Sequence, residues 1–142
     1  MNARTKQDRI RMISERPLRV TIVSVFVLSI TAWNAMRTYG AIANWNILRE
    51  FGASPAYIMA TGLVWTMAGM WLAYVLWTRK RSAFWSSLVL AGLYFTWYWL
   101  DRLFVQSSPA PNFIFASAVS TLLLALFILG IVWAKSFFEQ ER

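Results

Sequence analysis

The chain has 142 residues, 58% hydrophobic and 17% aromatic, and only 14% are charged, against roughly a quarter in soluble domains. It contains no cysteine and no histidine, which excludes disulfides, thiolate metal sites and imidazole ligation, and removes the commonest acid–base catalyst near neutral pH. The net charge of +8 does not point to nucleic acid, because the basic residues flank long apolar runs instead of forming a basic face.

Residues 1–17 form a basic, polar segment containing Arg4, Lys6, Arg9, Arg11 and Arg16. Pro17 suits the first turn of the helix that follows. The apolar run after it is longer than a secretory signal core and lacks a clear small-x-small cleavage site, so it reads as an uncleaved first membrane helix, about 18–39. Asn34 and Arg37 lie near its far end, with a break expected at Gly40. Between 41 and 51, Ile42, Trp45, Leu48 and Phe51 recur every three residues. That spacing suits a short amphipathic helix in the membrane surface, or equally an extension of the first helix beyond the bilayer.

Ser54-Pro55 reads as an N-cap followed by proline at the first helical position, opening a second membrane helix over 55–77. Along it Gly62, Thr66, Gly69 and Ala73 form a seam of small residues, which lets another helix backbone approach closely. Packing within the chain is favoured over a dimer contact. A basic turn, Arg79-Lys80-Arg81, then makes the second and third helices antiparallel neighbours.

The third membrane helix is expected over 84–105. It holds Asp101, the only acidic residue within a long apolar segment. At helical spacing Asp101 shares a face with Trp97, Tyr98, Tyr94, Leu90 and Ser87. A carboxylate near a helix C-terminus is disfavoured by the dipole and needs a cation. The expected partner is Arg37, with Arg102 turned toward headgroups or Glu50. After a turn rich in proline and serine, a fourth helix is expected over 113–134, followed by a short tail, 135–142.

The segment before the first helix, the basic turn and the tail together hold eleven Lys or Arg, counting Arg19, whereas the opposite side holds Arg37, Arg49 and Arg102. The positive-inside rule then puts both termini in the cytoplasm of a cell-membrane protein. The basic side should attract anionic lipid headgroups. The predicted fold is an all-α integral membrane protein, a four-transmembrane-helix bundle, N-in and C-in.

Arg37, Asp101, Arg102, Tyr94, Trp97, Tyr98 and Asn34 form the candidate polar cluster, either a site or a structural ion pair. Trp65 and Trp71 are central enough to line a groove for a flat apolar ligand. No phosphate loop, nucleophile elbow, paired carboxylates or metal-ligand cluster is found, so neither an enzyme nor a cofactor is expected. The leading expectation is an accessory or packing subunit with a protein partner in the membrane. The alternative is a carrier for a lipophilic molecule or small ion, gated by the Arg37/Asp101/aromatic cluster.

Overall fold

The structure, a computed structural model, describes residues 18–78, 80, 82–105 and 112–139. The basic N-terminal segment, most of the basic turn, the proline-rich turn and the last three residues lie outside that set. The described residues are all helix and connecting turns, with no strand. In order they form α1 (Leu18–Ala43), α2 (Trp45–Glu50), α3 (Pro55–Trp77), α4 (Ala83–Leu100), a π-helical turn (Asp101–Val105) and α5 (Phe113–Glu139). Three helices are long and apolar enough to cross a membrane: α1, α3 and α5, the last over Phe113–Ser136. α4 is shorter, with 18 residues, and one half of it carries Tyr94, Thr96, Trp97, Tyr98 and Trp99. Large apolar side chains such as Met36, Met67, Trp85 and Leu129 face outward on the four long helices, the reverse of a water-soluble bundle.

α1 lies along α3, its most extensive partner, and also packs on α5; α4 completes the ring against α3 and α5. Buried positions on α1 recur in steps of seven: Val20, Val27, Asn34 and Ala41 on one line, Ser24 and Thr31 on another. On α3, Pro55, Gly62 and Leu76 are buried at the same period, with Gly69 completing the row. The small-residue seam faces α1, so it serves packing within the chain. A Cβ on Gly62 would collide with Thr38 Oγ1 and stand 3.0 Å from the Asn34 carbonyl oxygen, and one on Gly69 would collide with Thr31. Thr66 donates to the Gly62 carbonyl, and Thr31 to that of Val27, so the hydroxyls on this interface are satisfied within their own helices.

One end of the bundle is tightly filled. Val20 and Val23 of α1, Leu72, Val75 and Leu76 of α3, Ala83 of α4, and Phe127, Ile131, Ala134 and Phe138 of α5 form a single buried cluster there. Arg19 donates to the Trp133 carbonyl at that end, over 2.9 Å. We call it the Leu18 end and the opposite one the Asp101 end.

Four boundaries differ from the sequence expectation. Gly40 does not break α1, which continues to Ala43, because a lone glycine costs a helix only about 1 kcal/mol. The break falls at Asn44, whose side-chain amide donates to the Gly40 carbonyl and competes with regular helix. The 41–51 segment therefore divides between the end of α1 and the six-residue α2. Gly52, at φ 73°, caps α2, with Gly52 N–H bonded to the Arg49 carbonyl and Ala53 N–H to that of Leu48. The third predicted helix is α-helical only to Leu100 and π-helical beyond. α5 runs five residues past its predicted end at Ala134, because Phe138 packs into the core, 2% exposed. The expected N-cap at Ser54 is present, its Oγ accepting from Tyr57 N–H at 3.4 Å.

Candidate functional site

Near the Asp101 end, α1 and α4 stand on opposite corners of the ring, with no pair of their Cα atoms within 8 Å. Only long side chains span that diagonal. Arg37 Nη2 donates to Asp101 Oδ2 at 3.5 Å, and the guanidinium lies 5.0 Å from the centre of the Trp97 ring. One turn deeper, Asn34 Nδ2 donates to the Ile30 carbonyl at 2.9 Å and to the Tyr94 hydroxyl at 3.3 Å. Asp101 is buried and Arg37 partly exposed, so the carboxylate is the member that depends on the pair. Asp101 opens the π-helical turn, whose wider backbone is a common feature of functional sites in helices.

Aromatic rings fill the space beneath the ion pair. Trp65 of α3 meets Tyr94 edge-on, 5.0 Å between centroids, and lies 5.4 Å from Trp97. Tyr57, which sequence reasoning missed, has Asp101 and Trp97 as its electrostatic neighbours. Its place just inside the start of α3, opposite the end of the third predicted helix, was the available signal. Asn34 Oδ1 and Trp97 Nε1 are buried without a partner among the described residues, leaving one acceptor and one donor unused in this corner.

The predicted cluster divides into two groups. Arg37, Asn34, Trp97 and Asp101 form the diagonal brace. Tyr94, Tyr98 and Arg102 instead line a partly open cavity of about 460 Å³ to which all four long helices contribute. Tyr94 belongs to both groups and forms part of the wall between them. Arg102, partly exposed, is bonded to Asn112, a partner the sequence did not suggest. Its Nη2 donates to Asn112 Oδ1 at 2.6 Å, tying the π-turn to the start of α5. Asn112 carried no sequence signal beyond its place in a turn.

The cavity is largely apolar, walled by Phe26, Ile30, Leu90, Phe95, Val119 and Leu123 among others, with Thr31 and Ser120 as small polar breaks. Phe26 and Phe127, 5.5 Å apart, lie where it meets the filled core. Of the two central tryptophans, Trp65 lines the cavity while Trp71 faces outward, half exposed. Among the described residues no group of three His, Cys, Asp or Glu could hold a metal ion. The arrangement can therefore hold apolar matter and offer it a polar, cationic end at Arg102.

Comparison with protein-family models, curated proteins and solved structures gives no match.

Proposed function

We propose that this chain is a four-span protein of the cell membrane, with both termini cytoplasmic, that binds a lipophilic molecule inside its bundle. The cavity carries the reading: it is a partly open, apolar cleft lined by four helices, and within the ~300–1,000 Å³ range of small-molecule sites. α4 with its π-turn is the fourth span, its helix long enough where the bilayer thins or aromatic residues sit at the interface. The Leu18 end, flanked by the basic turn, faces the cytoplasm and anionic lipid headgroups. The role is binding or carrying rather than catalysis, since the cavity brings together no acid–base pair or nucleophile.

The test is to fill the space. Ala116, 9% exposed and lining the cavity, tolerates a larger side chain only at the expense of that volume. Ala116→Phe should abolish uptake of an environment-sensitive apolar dye by detergent-purified protein while the helical circular dichroism persists. Equal dye binding by both forms would overturn the reading.

A second reading is an accessory subunit of a membrane assembly. Ala118, Thr121 and Ala125 favour it: they lie exposed on one face of α5, where small residues permit close helix approach. Replacing them with leucine should dissociate any stable assembly without affecting dye uptake; an assembly indifferent to the change would count against this face.

A further inference from the structure

Among the described residues Arg102 is the only charged one lining the cavity, and it stands at the Asp101 end. The carboxylate next to it in sequence does not neutralise it, because Asp101 is engaged with Arg37 across the bundle. Among the described residues the bond recorded for Arg102 goes to a neutral amide, Asn112 Oδ1, which leaves N–H groups of the guanidinium fork for another acceptor. From Asn112 the lining runs along α5 to Phe127, about 22 Å at the helical rise, and it is apolar for most of that length. The site is thus a partly open oily cleft with one cationic, hydrogen-bonding end.

We infer that the occupant is a single-chain anionic amphiphile, whose carboxylate or phosphate head lies on Arg102 and whose hydrocarbon chain extends toward Phe127. This rests on the lipophilic-binding reading above and adds the head-group chemistry to it. A guanidinium suits either head, because its planar fork donates two parallel hydrogen bonds to paired oxygens. The length argues for a long chain: about 22 Å exceeds half of a ~30 Å hydrocarbon core. Asn112 shifts its amide from the arginine to the incoming head or keeps the fork in place.

The test compares three probes of equal chain length on the full chain in a neutral detergent: a long-chain carboxylate, the matching alcohol, and the matching lysophosphatidate. Affinity is read by native mass spectrometry at a pH where the carboxylate is ionised. The ionised probes should bind at least about tenfold more tightly than the alcohol. Arg102→Gln should bring them down to the alcohol's level and leave the alcohol unchanged; Arg49→Gln, remote from the cavity, should change none of them. Which anion binds more tightly separates a fatty-acid occupant from a lysolipid. Equal binding of acid and alcohol by the unaltered protein overturns the anionic head while the cavity reading stands. If Ala116→Phe leaves all three probes bound as before, both fall.

Discussion

Arg37 and Asp101 meet across the diagonal of the bundle at 3.5 Å, although the backbones of the helices that bear them stay apart and only side chains bridge them. The two members are not equivalent. Arg37 is partly exposed and also rests on Trp97, so losing its partner leaves it a ring and a route to the headgroups. Asp101 is buried, and without Arg37 its charge has the Tyr57 side chain beside it but no cation. Asp101→Asn should cost about 1 kcal/mol and Arg37→Gln about 2–3 kcal/mol, measured by unfolding in mixed micelles. Equal losses, or a larger one for Asp101→Asn, would show that the ion pair does not govern this corner.

The α1–α3 contact tolerates almost nothing at two glycines. At Gly62 an added methyl meets backbone as well as the Thr38 side chain, so Gly62→Ala should destabilise by about 1–3 kcal/mol. At Gly69 the obstacle is the Thr31 side chain alone, and Thr31→Ala should restore much of what Gly69→Ala loses. Gly92, with nothing within 4 Å, is the control: Gly92→Ala should be neutral or slightly stabilising. A stability series that ranked Gly92→Ala with the other two would refute the seam.

Phe138 makes the end of α5 part of the core. Stopping the chain after Lys135 removes a side chain 2% exposed and leaves a hole beside Ala83 and Ile131. The truncated protein should lose about 2–4 kcal/mol, less than a soluble core would if lipid fills part of the gap. Phe138→Leu should recover most of it. Indifference to the truncation would make residues 136–139 a tail after all.

Orientation can be read directly because the chain has no cysteine of its own. Single cysteines at Ser82 and at Asn44 should be labelled by membrane-impermeant maleimide from opposite sides, Ser82 only after the cytoplasmic face is opened. Labelling of both from the same side would overturn the four-span arrangement.

Much of this fold was legible in the sequence, and the reason is local. Apolar length and capping residues placed the helices to within a few positions, and the small residues from Gly62 to Ala73 marked the close contact. Charge logic brought Arg37 to Asp101, since few partners were available at that depth. What escaped depends on which helices stand opposite one another. Arg102–Asn112 joins two residues on either side of a turn, and Tyr57 approaches Asp101 from another helix, with only the antiparallel pairing of the second and third predicted helices to suggest it. The cavity is space among four helices, and no single helix's periodicity encodes it. The π-turn and the extension of α5 arise because tertiary packing at Asp101 and Phe138 overrides boundary signals.

The seven-residue step shared by α1 and α3 also constrains how this chain can change in length. A strict repeat of seven makes two α-helices wind around each other with a left-handed coil, each glycine held opposite its threonine. Inserting or deleting one residue in the middle of either helix turns the downstream half by about 100° and takes a glycine and its threonine out of register. Length variants that keep the fold should therefore gain or lose whole heptads, and in both helices at once.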